Sequence, residues 1–203
     1  MLSYRQNEDN DIFSAAICGD TDSILHSIKN GVDVNATSPT SDTPIILAAR
    51  HGQMGTIKTL IMAGAFVDQQ NDNGDTALML AARHGHEACA RVLTSTGSDL
   101  DIKSTDIHEN TALIEAVMMG HKGIVRALIH AGADLDAQNS QGNTALLVAV
   151  KNHRNQCLKY LVNAGASLDI PDRLGKTALT CAVENAQKYA TRQLMDAKKR
   201  AAL

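Results

Sequence analysis

A repeat of about 33 residues runs through most of the chain and restricts its fold more than any other feature. The pentapeptide AARHG occurs at residues 48–52 and again, one period later, at residues 81–85. Threonines recur with this period at Thr43, Thr76, Thr111, Thr144 and Thr177. The same intervals separate a series of glycines, at Gly31, Gly64, Gly97, Gly132 and Gly165. Because a fixed period of this size is typical of stacked repeats, we expect one elongated array.

Each repeat is predicted to form two short antiparallel helices followed by a turn. Residues 78–85 follow the i, i+3, i+4, i+7 rhythm of a helix that ends at Gly85, where glycine favours the left-handed conformation. Residues 124–129 carry an apolar stripe typical of a second helix, which Gly132 terminates. The stretches DQQNDNGD and DAQNSQGN that follow such helices are typical of tight turns. We expect four leucines to lie in a continuous core, Leu80, Leu93, Leu113 and Leu128.

The repeat resembles the ankyrin repeat over about residues 11–195. The family has a 33-residue period and the signature T-P-L-H-x-A, which TPIILA at residues 43–48 matches best. GHEACARVL and GHKGIVRALIHAGADLDA are similar to the second helix of that family and the turn after it. The histidine of the signature is replaced in every copy, by Ile46, Met79, Ile114, Leu147 and Thr180. The resemblance implies an all-α solenoid of stacked helix-turn-helix repeats with β-turn or hairpin fingers, and a concave surface that binds another protein.

We predict a polar N-terminal segment at residues 1–10 and a single ankyrin-repeat domain at residues 11–203. The expected repeats lie at about 11–40, 41–73, 74–108, 109–141 and 142–174, with a C-terminal capping repeat at 175–203. The longer interval between Thr76 and Thr111 indicates a two-residue insertion in the third repeat. We expect it to lengthen the turn near residues 105–108 and to place Ile107 on a protruding tip, or to let Ile107 pack back on its own turn.

Composition argues against several classes of function. A formal net charge of −3, a pI near 6.2 and 2% aromatic residues give little support for nucleic-acid binding. No apolar run predicts a secretion signal or a membrane-spanning helix. The four cysteines form no C-x-x-C pair. We interpret Cys89 and Cys157 as small core residues and expect a reducing, cytoplasmic compartment. We expect a monomer.

The residues near the end of each first helix are the candidate binding surface. They change along the array from Arg50 and His51, through Arg83 and His84, to Met118 and Met119. Because adaptable methionine beside arginine is typical of interface centres, we predict contact with a protein that has an acidic segment beside an apolar anchor. The candidate partner-binding residues are Arg50, His51, Arg83, His84, Met118 and Met119, with Asp72, Asn73, Asp75 and Ile107 at the rim.

Alternative interpretations of these residues remain open. One methionine could fold into the core while the arginines pair with Asp42, Asp75 or Glu115. His51 and His84 could belong to an enzyme or to a metal site completed by His86, Asp72 or Asp75. No catalytic or metal-binding spacing supports that second alternative, so we predict a non-catalytic binding module without a cofactor or metal. Adaptor, inhibitor and bacterial effector delivered into a host cell are equally compatible with the sequence. We also expect Arg50→Glu and Arg83→Glu, combined with Met119→Ala, to leave the fold unchanged.

Overall fold

The computed structural model describes residues 12–201, and this part of the chain consists of paired helices joined by turns. The predicted segment at residues 1–10 lies outside the described residues. Within them the helices are α1 (12–18), α2 (Thr21–Lys29), α3 (Pro44–Arg50), α4 (Met54–Met62), α5 (Ala77–His84), α6 (Glu87–Ser95), α7 (Ala112–Met119), α8 (Lys122–Ala131), α9 (Ala145–Lys151), α10 (Asn155–Asn163), α11 (Ala178–Glu184) and α12 (Lys188–Ala201). Each odd-numbered helix pairs with the next one, which confirms the all-α repeat solenoid.

The recurrent threonines begin the first helix of each pair. The hydroxyls of Thr76, Thr111 and Thr144 each accept a hydrogen bond from the backbone N–H three residues later, at 3.3 Å. This bond satisfies one of the N–H groups that the first turn of a helix leaves unpaired. Gly85 ends α5 in the left-handed conformation, with φ of +79°, as the sequence predicts.

The core is formed between neighbouring helix pairs. First helices pack against the next first helix, and second helices against the next second helix. All four leucines predicted for the core are at most 2% exposed, which confirms the phase of the repeat. Ile46, Met79, Ile114 and Leu147, which replace the histidine of the family signature, are buried, whereas Thr180 is exposed. Apolar contact therefore takes the place of a polar side chain at four of these positions.

The turns before the threonines form a row of fingers, at residues 38–42, 71–75, 104–110, 139–143 and 172–176. In each finger the N–H of the first residue donates to the carbonyl of the last one. Adjacent fingers are joined by one backbone hydrogen bond, as from Thr105 N–H to Asn73 C=O at 3.0 Å. Gly74 has φ of +71°, and a Cβ there would lie 2.1 Å from the Thr105 nitrogen, so only glycine fits. No strand is assigned between residues 12 and 201, so the fingers are turns.

The two-residue insertion lies in the third finger, at residues 104–110. The Asp106 carboxylate accepts hydrogen bonds from the Ser104 hydroxyl and from the backbone N–H groups of His108 and Glu109. Burial opposes ionisation of Asp106, but these hydrogen bonds outweigh it and lower its pKa. The side chain of Ile107 is 84% exposed, so it lies on the tip and does not pack back on the finger.

Truncation of Leu128 tests the packing between repeats. We expect Leu128→Ala to lower the free energy of unfolding by about 2–5 kcal/mol, because it leaves a cavity among fully buried side chains. Met62→Ala, at a side chain that is 81% exposed, is the control and should change stability by less than about 0.5 kcal/mol. Equal urea midpoints for the two variants would show that Leu128 does not lie in a packed core.

Candidate functional site

The fingers and the ends of the first helices meet along one surface, which we call the concave groove. In four repeats, the last residue of the finger contacts the residue that lies seven positions after the threonine, at the end of the first helix. These pairs are Asp42 with Arg50, Asp75 with Arg83, Asn143 with Lys151, and Lys176 with Glu184. In the last pair the basic residue lies in the finger and the acidic residue at the helix end. The two positions therefore stay complementary to each other even where the residue types are exchanged.

Arg50 and Arg83 are both held by carboxylates of their own chain. Arg50 donates two hydrogen bonds to Asp42, at 3.1 and 2.9 Å. Arg83 donates two to Asp75, at 2.8 and 2.7 Å, and two more to Glu115 of the next repeat, at 3.1 and 3.2 Å. Although burial opposes the charge of Arg83, the two carboxylates raise its pKa. Such bidentate bonds fix the planar guanidinium in place.

Asparagine side chains extend this network from one repeat to the next. Asn71 donates to Asp42 at 2.8 Å, Asn110 donates to Glu115 at 2.9 Å, and Asn139 donates to Asn110 at 3.0 Å. These asparagines were not predicted from the sequence. Asn71 and Asn139 each contact a side chain one repeat away, so these bonds depend on how the repeats stack.

The network continues toward the C-terminal repeats through Lys151. Its ammonium group donates to Asn143 at 2.6 Å and to Asp172 at 2.8 Å. Burial alone would raise the pKa of Asp172. The hydrogen bonds from Lys151 and from the backbone N–H groups of Leu174 and Lys176 outweigh burial, so this pKa lies below its ordinary value.

The fourth repeat interrupts the pairing between finger and helix end. The corresponding residues are Asn110 and Met118, and Met118 offers no polar group to the finger. Met118 is partly buried against the core, and Met119 beside it is 47% exposed. The groove therefore carries two adjacent methionines where its neighbours carry charged pairs.

Three of the predicted site residues need correction. Asp75 is 2% exposed and bound by Arg83, so it lies beneath the groove surface and not at its rim. Asp42, Asp75 and Glu115 hold Arg50 and Arg83, which is the pairing that the sequence left open as an alternative, so an acidic partner would have to share these guanidinium groups. We therefore now expect Arg83→Glu to destabilise the fold, since it would place a third carboxylate beside two buried ones.

The remaining predicted residues are accessible at the surface. His51 and His84 are exposed at the ends of α3 and α5, and the side chains of Asp72 and Asn73 are exposed on their finger. Fingers 71–75 and 104–110 are neighbours, so Ile107 extends the same rim. The rings of His84 and His86 stack with their centroids 6.2 Å apart.

His84 titrates in an environment that disfavours its charged form. Partial desolvation is the main cause, and the nearby His86, Arg83, Arg50 and His51 add to it, so the pKa of His84 lies below 6.5. His84 is therefore mainly neutral at pH 7, and the groove next to Met119 loses one potential positive charge.

The described residues hold no arrangement suited to a metal ion. Between residues 12 and 201, no three His, Cys, Asp or Glu side chains are grouped so that they could share a metal. Over the same residues, no helix has the length and apolar character needed to cross a membrane. His51 and His84 thus receive no geometric support as part of a metal site.

Removal of the Arg83 charge tests whether the network is structural. We expect Arg83→Met to lower the free energy of unfolding by about 3 kcal/mol, because two buried carboxylates lose their partner. The control is Arg91→Met, since Arg91 lies 3.9 Å from Glu87 in an exposed pair that contributes little. Similar denaturant midpoints for both variants would contradict a structural role of Arg83.

The titration of His84 provides a second test. By NMR, its imidazole should titrate below pH 6.5 in the folded protein and near 6.5 in urea. Because the unfolded chain then takes up the proton first, stability should fall as the pH drops below 6.5, and His84→Gln should make this decrease shallower. A folded-state midpoint at or above 6.5 would contradict the partly desolvated environment of His84 and the nearby positive charges.

Comparisons with known proteins agree with this geometry. The ankyrin repeat family, in a form with three copies, matches residues 12–106, 55–139 and 113–201. No curated protein matches the sequence.

Solved structures with the same fold come from several organisms. An ankyrin repeat domain (ABAYE2397) from Acinetobacter baumannii is 30% identical with a TM-score of 0.85, over 92% of this chain and 97% of that one. A chain in the complex of the Bdellovibrio bacteriovorus predatory endopeptidase Bd0816 with immunity protein Bd3460 is 26% identical with a TM-score of 0.80, over 92% and 97%. The human ASB11 ankyrin repeat domain is 27% identical with a TM-score of 0.79, over 92% and 82%. Since the family matches together extend from residue 12 to residue 201, the chain belongs to the ankyrin repeat family.

Proposed function

We propose that this chain is a non-catalytic module that binds a partner protein in the concave groove, with Met118 and Met119 at the centre of the contact. The observation that carries the proposal is the interruption of the charged pairs in the fourth repeat, where two methionines take their place. A half-exposed methionine next to a fixed polar network offers an adaptable apolar contact surrounded by groups already satisfied within the chain.

The polar surroundings support a specific orientation for the partner. His51 and His84 lie on one side of the methionines, and the side chains of Arg50 and Arg83 keep about a third of their surface exposed. An acidic segment of the partner would contact the histidines and the open edge of Arg50, sharing that guanidinium with Asp42. Asp72, Asn73 and Ile107 would then form the rim, and an apolar side chain of the partner would lie on Met119.

The family supports this class of function without fixing the biological role. Ankyrin repeats are protein-binding units, and one similar structure is a complex between an endopeptidase and an immunity protein. Adaptor, inhibitor and effector share the same binding step, which is what we propose. The unit that binds is the predicted array of residues 11–203, acting as a monomer. Its four cysteines form no disulfide with one another, which suits a reducing, cytoplasmic setting.

Site-specific photo-crosslinking tests the proposal even while the partner is unidentified. A benzophenone amino acid placed at position 119 should give a discrete adduct in native lysate, whereas the same group at position 62 should not. Met62 is a suitable control because it is also an exposed methionine but lies on a second helix, away from the groove. Adducts formed equally at both positions, or only at position 62, would contradict binding in the groove.

The captured partner then allows the acidic contact to be measured. We expect His51→Ala with His84→Ala to weaken binding of that partner by about three- to tenfold, because the acidic segment loses the ring N–H groups that a neutral imidazole still donates. Met119→Ser should weaken it by about tenfold or more, as expected for a central apolar contact. Unchanged affinity in the histidine variant would remove the acidic segment from the proposal, and unchanged affinity in Met119→Ser would move the centre of the site elsewhere.

A further inference from the structure

A row of cations crosses the face of the molecule opposite the fingers. The same position of the second helix carries a basic residue in five consecutive repeats, with the same spacing as the recurrent threonines. We call these residues the basic row, and they are Lys58, Arg91, Arg126, Lys159 and Arg192. All five side chains are exposed, and the helices that carry them, α4, α6, α8, α10 and α12, pack in sequence against one another.

The charges of the chain are segregated between this face and the rest. These five helices contain ten of the 19 Lys and Arg residues but only two of the 22 Asp and Glu residues, Glu87 and Asp196. The remaining sequence therefore has nine basic and twenty acidic residues. A net charge of −3 conceals a strongly positive surface on the second helices.

The acidic side of this division has a structural explanation. Asp68, Asp101 and Asp136 each accept a hydrogen bond from the next repeat, from the backbone N–H two residues after the glycine that follows its second helix. Burial, followed by the charges of Asp134 and Asp99, raises the pKa of Asp101 despite its hydrogen bond from the Asp134 N–H. Carboxylates in these positions thus join neighbouring repeats.

The basic row has no comparable role within the described residues. Arg91 and Arg192 make only long, exposed pairs along their own helices, at 3.9 Å to Glu87 and 3.8 Å to Asp196. Lys58 and Lys159 form no ion pair with any residue between 12 and 201. Exposed pairs of this kind contribute little to stability, so folding does not explain why one cation recurs in each of five repeats.

A groove of about 810 Å³ lies beside the middle of the row. Arg91, Arg126 and Ala127 line it, and the ring of Tyr160 forms part of its wall, with the Arg126 guanidinium 5.8 Å above the ring centroid. The Glu87 carboxylate also lines the groove and occupies the space next to Gly123. With two arginines and one carboxylate, the groove combines a net positive charge with room for an apolar side chain.

We propose that the basic row and this groove bind an extended acidic segment of a partner protein, on a surface separate from the concave groove. Packed helices lie about 8–10 Å apart, and an extended chain advances about 3.3 Å per residue, so a carboxylate at every third residue would match the row. Five cations span four such intervals and then correspond to about 11–13 residues of partner. A row one cation wide, bordered by an acidic finger side, suits a narrow peptide better than a nucleic acid with charges along its whole surface.

A designed peptide tests this surface directly. The probe is a fluorescein-labelled 16-residue peptide with Glu at every third position among Gly and Ser, and one central Leu, followed by fluorescence anisotropy. We expect binding that weakens as NaCl rises and is lost when Gln replaces Glu. Arg91→Gln, Arg126→Gln and Lys159→Gln together should weaken binding by about tenfold or more, given a modest contribution from each charge.

Matched controls separate this surface from general electrostatics and from the concave groove. Lys29→Gln, Lys103→Gln and Arg173→Gln remove the same total charge outside the row and should weaken binding less than about threefold. Met119→Ser should leave peptide binding unchanged, so failure of the groove proposal and failure of this one give different results. Circular dichroism melting verifies folding, and Lys58→Gln with Lys159→Gln, which spares Arg126 on Tyr160, replaces the triple variant if that variant unfolds.

Four results would overturn the proposal. The first is no salt-dependent binding of the glutamate peptide, and the second is equal weakening in the row variant and its control. The third is tighter binding of a 16-nucleotide single-stranded DNA than of the peptide, which would assign the row to nucleic acid. The fourth is dimerisation at low salt that is abolished in the row variant. This result would show that the basic row binds the acidic side of a second copy of the chain.

Discussion

Burial of apolar side chains between adjacent helix pairs is the interaction on which the rest of this structure depends. A single pair exposes too much apolar surface to be stable alone, so each repeat is stabilised by the next one. Because stacking fixes the register, any side chain that recurs once in each repeat forms a line across the surface. The polar network of the concave groove and the basic row on the second helices both follow from this register.

In the concave groove, the proposed binding site is the one repeat that departs from the polar pattern of its neighbours. Arg50, Arg83 and Lys151 are bound to finger residues or carboxylates of neighbouring repeats, so much of the groove is already satisfied internally. Among the five repeats that carry these two positions, only the fourth has an apolar side chain, Met118, in place of the charged helix end. The electrostatic cost of disturbing the network is large, whereas contact with exposed Met119 requires no such rearrangement.

Sequence patterns were sufficient for the helices and the core but not for the electrostatic role of the arginines. The repeat phase placed Leu128 in the core and Gly85 at a helix end, since both depend on local period and backbone preference. The position of Asp75 was misjudged because a turn aspartate is usually exposed, and its burial results from Arg83 in the helix that follows and Glu115 in the next repeat. Contacts between copies, such as Asn71 with Asp42, become visible only when the repeats are stacked. The basic row could have been found by extending the column comparison to the second helices.

The most direct test of the central claim is methyl NMR of the chain labelled at its seven methionines, recorded as the captured partner is added. Each methionine methyl reports its own surroundings, so one experiment compares the concave groove with the other surfaces. We predict that the signals of Met118 and Met119 shift or broaden at substoichiometric partner, while those of the exposed Met62 and Met195 stay unchanged. Shifts confined to Met62 or Met195, with Met118 and Met119 unaffected, would contradict binding in the concave groove.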